Sequence, residues 1–134
     1  MYQVIAAIIT ALVMIWLTVS LSKVFSPPLM AAAILCSIAF IYVGFSLKDN
    51  PPVMIALEVT AALGFYFLAL VGYIKNVRLL GYGIILHGVW DILHHGSIIV
   101  TTDIAEFWPV YCLIVDLIYG VYLLMFSKEF KIAS

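Results

Sequence analysis

The chain has 134 residues, of which 66% are hydrophobic and 10% charged, with a formal net charge of −1 and a mean hydropathy of +1.24. An ordinary soluble domain is about half apolar and about a quarter charged, so this excess of apolar surface needs lipid as its solvent. The near-zero net charge argues against a nucleic-acid partner, and the length allows one domain, residues 1–134.

Hydropathy and breakers divide the chain into five stretches, each near the roughly 20 residues that cross a bilayer as helix. The N-terminus lacks the basic leader of a signal peptide, and its apolar run is too long for one, so residues 3–24 read as a first span. Lys23 and the Ser26-Pro27-Pro28 break end it. Proline is tolerated in a first helical turn, so the second span opens there and covers 28–47. Lys48-Asp49-Asn50-Pro51-Pro52 is a turn by the same reasoning, and the third span covers 52–74. Lys75-Asn76-Val77-Arg78 separates it from a fourth, 79–100. The polar Thr101-Thr102-Asp103 follows, and a fifth span, 107–126, starts at Trp108-Pro109. Helices are the open elements that satisfy their own backbone in lipid, so the expected fold is an all-α transmembrane bundle.

Charge gives this bundle a direction. With five spans, Lys23, Lys75, Arg78, Lys128 and Lys131 share one side, while the other holds Lys48 beside Asp49, Asp103 and Glu106. The positive-inside rule then places the N-terminus outside and the C-terminus in the cytoplasm. Cys36 and Cys112 stand in apolar runs without a CxxC spacing and read as thiols rather than a disulfide framework. Most aromatic residues, Tyr42, Phe65 and Tyr119 among them, read as lipid-facing or interfacial.

The lysines and arginines all lie at span ends or in loops, but three acids and all three histidines do not. Glu58 falls in the third span, His87, Asp91, His94 and His95 in the fourth, and Asp116 in the fifth. An ionisable group at membrane depth costs at least about 2.5–3.5 kcal/mol on insertion scales, which makes it a functional-site candidate by default. His87, Asp91 and His94 follow i, i+4, i+7 and share one helix face, while His95 adjoins Asp91 at i+4. Cys112, Asp116 and Tyr119 make a second stripe. Gly81, Gly83, Gly88 and Gly96 let neighbouring helices approach the fourth span closely.

Three carboxylates cannot all stay ionised in a low dielectric without compensation, so protons or a cation must balance them. Imidazole with carboxylate suits zinc, iron or manganese, and helix-borne His and acid residues build such sites in bundles. The expected ligands are His87, Asp91, His94, His95, Glu58 and Asp116, with Glu58, Asp91 and Asp116 as candidates for the catalytic base. The plainer readings are a histidine bonded between helices, a protonated acid on a neighbouring backbone, or an Asp91 that only orients a histidine.

The run Leu86-His87-Gly88-Val89-Trp90-Asp91-Ile92-Leu93-His94-His95 resembles a family of small bacterial multi-span membrane proteins known as a domain of unknown function. That family's proline-containing link and Cys-x-x-x-Asp segment would be Pro109 and Cys112–Asp116 here, and a Glu in the preceding span would be Glu58. The stretch Thr101–Glu106 is more acidic than the family's link. The resemblance implies the site residues and a bacterial inner-membrane location, but no reaction. Intramembrane zinc hydrolases of the ceramidase and adiponectin-receptor type are similar in placing His and Asp inside a bundle, though with seven spans. Di-iron hydroxylases and desaturases share the His-x-x-His-His character, but Asp91 stands where their first His would be.

Two functions follow as expectations. The first is a metal-dependent enzyme, zinc or iron, acting on a lipid or other hydrophobic substrate by hydrolysis or oxidation. The second is a cation or proton transporter, for which so small a bundle would form a homo-oligomer. A structural or accessory subunit, in which the polar groups only fix helix register, is the remaining reading.

Overall fold

A computed structural model describes residues 2–48, 50–95 and 100–130. Five α-helices follow in order: α1 (Tyr2–Leu21), α2 (Pro27–Ser46), α3 (Pro52–Lys75), α4 (Val77–His94) and α5 (Trp108–Phe126). The breakers act as expected. Ser26 caps α2, its hydroxyl accepting from the Leu29 N–H, and prolines occupy the first turns of α2, α3 and α5. The Asn76 side chain caps α4 by accepting from the Arg78 N–H.

Four helices, α1, α2, α3 and α5, are long and apolar enough to cross a membrane. The shortest is α4, with 18 residues, and it carries Arg78, His87, Asp91 and His94. The residues that mark it as site-bearing are also those that dilute its apolar character. Its end departs from the sequence expectation: the helix stops at His94 instead of continuing towards residue 100. Its last carbonyls find other donors, since Ile92 accepts from the His95 N–H and Leu93 from the Val100 N–H. Terminal carbonyls so satisfied need no further helical turn. Asp49, Gly96 and Lys131, each singled out above, lie outside the described residues.

The helix order in space differs from that in sequence. α1 packs on α5, α5 on α4, and α4 on both α2 and α3, which also pack on each other. This makes α4 the central element. Small residues set the close contacts, with Ala31, Ala32 and Ala39 of α2 and Ala62 and Ala69 of α3 in the core beside Leu35, Leu80, Ile84 and Leu123. At Gly88 a Cβ would stand 3.2 Å from the Cβ of Asp116, and at Gly120 one would stand 2.9 Å from the Gly81 carbonyl. α4 and α5 therefore approach almost backbone to backbone, as the glycine spacing predicts.

The outer surface is apolar: Ile9, Leu12, Trp16, Phe67 and Leu86 are all more than half exposed. Contiguous exposure of this kind marks a surface made for another apolar phase. Tyr42, Phe65 and Tyr119, expected among the lipid-facing aromatics, are instead buried. Tyr119 bonds the Thr18 hydroxyl at 2.9 Å, and Thr18 passes its own hydrogen to the Met14 carbonyl. Tyr119 is thus the donor, and the bond ties α1 to α5. Cys36 and Cys112 are free and half-buried.

A buried histidine and aspartate cluster

The close approach at Gly88 puts Asp116 of α5 beside His87, the residue before that glycine. Asp116 Oδ2 lies 2.8 Å from His87 Nδ1. One turn along α4, Asp91 Oδ2 lies 3.6 Å from the same nitrogen, too far for a hydrogen bond. Tyr42 of α2 donates its hydroxyl hydrogen to Asp91 Oδ1 at 2.6 Å. His87, Asp91 and Asp116 are almost completely buried, and their ligand atoms all lie within 4.8 Å of one another. Three helices contribute, and Tyr42 fixes which Asp91 oxygen turns to the cluster.

The cluster is short of partners. Two carboxylate oxygens converge on one ring nitrogen, and that nitrogen can carry a single hydrogen. Asp91 Oδ2 has no hydrogen-bond partner, nor has His87 Nε2 on the far side of the ring. Among the described residues, the one other buried side-chain atom in this condition is the indole nitrogen of Trp108. Buried polar atoms are nearly always paired, so the orphaned Asp91 Oδ2, facing His87 Nδ1 and Asp116, points to a ligand shared by these three groups. One imidazole and two carboxylates form a donor set that takes a divalent cation, and three protein ligands leave a coordination position open.

A second polar group lies nearer the His94 end of α4. His94 Nε2 stands 2.7 Å from Glu58 Oε1, and His94 Nδ1 stands 2.9 Å from the Trp90 carbonyl. A carbonyl only accepts, so Nδ1 carries a hydrogen. The contact between Nε2 and Glu58 therefore holds one further hydrogen, borne by either partner. Thr102, on the segment returning from α4, donates to Glu58 Oε1 at 2.6 Å. The Trp90 indole adds a long 3.4 Å bond to Oε2. Every polar atom of Glu58 and His94 has a partner. The Tyr42 ring stacks on His94, with centroids 4.1 Å apart, so one tyrosine touches both groups.

The structure thus divides the six sequence candidates. It brings His87, Asp91 and Asp116 together, joins Glu58 to His94 in a separate pair, and leaves His95 exposed as the C-cap of α4. His95 points away because the helix ends before it, so the i+4 relation to Asp91 does not apply. Tyr42 and Thr102 were not expected at a site. A tyrosine near a span end and a threonine in a polar link each have commoner readings. The one signal for Thr102 is the hydroxyl pair Thr101-Thr102 a few residues beyond His94-His95.

Two cavities adjoin these groups. One, of about 290 Å³, is polar and lined by His94, Thr101, Thr102, Asp103, Glu106 and Pro109. The other is an apolar groove of about 330 Å³ between α3 and α4. On its remaining side the cluster faces the aliphatic core at Ile84 and Leu80, one and two turns back along α4.

Comparison with known proteins adds a family but no activity. The model of a family of unknown function (DUF6010) matches residues 2–129, and the chain belongs to that family. No curated protein and no solved structure matches it.

Proposed function

We propose that this DUF6010 chain is a membrane-embedded, metal-dependent enzyme acting on a lipid or other hydrophobic substrate, with His87, Asp91 and Asp116 as the protein ligands of a divalent metal. The observation that carries this reading is the convergence of two carboxylate oxygens, one of them (Asp91 Oδ2) buried and unpartnered, on His87 Nδ1. A cation there would compensate two carboxylates that one imidazole cannot serve alone.

In this reading all five helices cross the bilayer, with the N-terminus outside and the C-terminus in the cytoplasm. The lysine and arginine distribution supports that orientation. α4 crosses despite its polar residues because they face α2, α3 and α5. A metal with an open position lowers the pKa of bound water and polarises a carbonyl. The simplest reaction would be hydrolysis, in which water adds its hydroxyl to an ester or amide carbonyl and its proton leaves with the alcohol or amine; His87, Asp91 and Asp116 would hold the metal that supplies the Lewis acidity. The Glu58–His94 pair, one turn along α4 from Asp91 and holding one exchangeable hydrogen, would take up and return that proton. Oxidation by iron in the same ligand set is the second reaction.

Transport of protons or cations is less well supported. A conduit needs polar groups running on from both sides of the cluster; towards Thr101–Glu106 they line a cavity, whereas on the other side the buried polar contact among the described residues is the single Tyr119–Thr18 pair, set among aliphatic side chains. Leu35, Leu80, Ile84 and Leu123 occupy the other side.

Elemental analysis of the purified protein in detergent tests the proposal, beside an Asp91→Ala/Asp116→Ala variant. Near-stoichiometric zinc, iron or manganese in the wild type and background levels in the variant are expected, and the element selects between hydrolysis and oxidation. Wild-type protein that remains metal-free after incubation with each of these ions would overturn the metal-site reading.

A further inference from the structure

The apolar groove is lined on α3 by Ala61, Gly64, Phe65 and Leu68, and on α4 by Leu86, Val89, Trp90 and Leu93. Its volume of about 330 Å³ lies at the lower end of the range of roughly 300–1,000 Å³ for small-molecule sites. Leu86 and Val89 are about half exposed, so the groove opens on the flank of the bundle rather than at an end. The polar atom among these side chains is the Trp90 indole N–H, and it is turned onto Glu58.

Gly64 distinguishes this groove from the close-packed seams. A Cβ at Gly81, Gly83, Gly88 or Gly120 would press on a neighbouring helix, but one at Gly64 would meet nothing within 4 Å. No packing contact accounts for this glycine, and glycine in a helix interior is unfavourable relative to alanine. What its missing side chain provides is the open floor of the groove.

The groove also abuts the cluster. Phe65 forms part of its wall, and the same ring stands edge-on to His87, with centroids 5.2 Å apart. The two nitrogens of an imidazole face different ways. With Nδ1 turned to Asp116 on α5, the unpartnered Nε2 lies on the side away from α5. Along α4 the groove runs from Leu93 to Leu86, which is seven residues or roughly 10 Å of helix. Trp90 lies in the half of the groove towards Leu93, beside Glu58 and next in sequence to Asp91.

We infer that this groove binds the acyl chain of a membrane lipid and thereby sets the substrate class of the site. The inference rests on the metal-enzyme reading for its catalytic meaning. An acyl chain matches an apolar, laterally open channel at membrane depth, and its carbonyl end belongs in the Trp90–Leu93 half, nearest the polar residues. A water-soluble substrate would need polar groups along the lining, and the groove's one such group, the Trp90 N–H, is turned onto Glu58.

The test uses the full chain reconstituted in phosphatidylcholine vesicles containing a fraction of phosphatidylcholine with a photoactivatable diazirine in one acyl chain. After irradiation, labelled residues are mapped by peptide mass spectrometry. Labelling is expected to concentrate on Leu68, Leu86, Val89 and Leu93. It should fall to the level of the exposed α1 residues Leu12 and Trp16 in Gly64→Leu. Gly44→Leu is the matched control, since a Cβ at Gly44 also meets nothing within 4 Å, and it should label as the wild type does. Thermal melts of both variants confirm that the added side chain leaves the fold intact. Labelling spread equally over α1 and the groove, and unchanged by Gly64→Leu, would mean boundary lipid only and overturn the inference. Metal content measured on the same samples separates the two ideas: metal retained in Gly64→Leu while labelling is lost supports both. Metal absent throughout removes the catalytic reading while the labelling pattern still decides the groove.

Discussion

The two polar groups on α4 lie one to two turns apart and are built from the same residue types, yet they are finished differently. Around Glu58 and His94 every donor meets an acceptor, with Thr102, Trp90 and a shared hydrogen completing the set. Around His87 the acceptors outnumber the donors, and two buried atoms have no partner. A satisfied buried network holds elements in register, and an unsatisfied one is poised for something not supplied by the chain. On the proposed reading, the first group has a mainly structural and proton-handling part and the second is the ligand site.

Substitutions can break or sharpen this contrast. The largest effect is expected from Glu58→Ala, which strands His94 and Thr102 together. Removing one partner of a buried pair costs about 3–5 kcal/mol, read as a lowered thermal midpoint in detergent, while the metal content of whatever remains folded stays at the wild-type level. If metal were lost in proportion to Glu58 rather than to fold, the two groups would be one site. Next comes Tyr42→Phe, which keeps the ring stacked on His94 but frees Asp91 Oδ1 from its fixed bond. Loss of a group that orients a ligand weakens metal binding by about 10–100-fold, measurable by competition with a chelator, with little change in the melt. An unchanged affinity would mean that Asp91 is held by its packing alone. The smallest effect is expected from Thr102→Val. It removes one of the donors to Glu58 and should lower stability by about 1 kcal/mol without altering metal binding.

The helical outline was legible from the chain because it is set by length, hydropathy and breakers, which act locally. Pro27, Pro52 and Asn76 mark starts that the structure keeps within a residue or two. The end of α4 was not legible, because it depends on Val100 returning to the Leu93 carbonyl, a contact no window on the helix contains. The stripe His87, Asp91, His94 was legible from the 3.6-residue period, and all three are buried. Its partition was not. Glu58, His94 and Asp116 were all expected as ligands of one site, whereas α3 and α5 approach α4 from different sides and each acid meets a different histidine. Tyr42 escaped for a related reason: hydropathy gives an aromatic residue a depth but no direction.

The modest apolarity of α4 has a consequence for how the molecule is made. A segment with His87, Asp91 and His94 along one face is a poor candidate for entering the bilayer alone from the translocation machinery. α5 follows after thirteen residues, and its Asp116 meets His87 across the seam between Gly88 and Gly120. On the five-span reading, the two segments are best inserted as a pair, in which acid and imidazole neutralise one another before either meets lipid. The same bond that prepares the cluster would then serve during biogenesis as the signal that the last two segments have found each other, and a chain that failed to form it would be left with an unanchored fourth segment for quality control to detect.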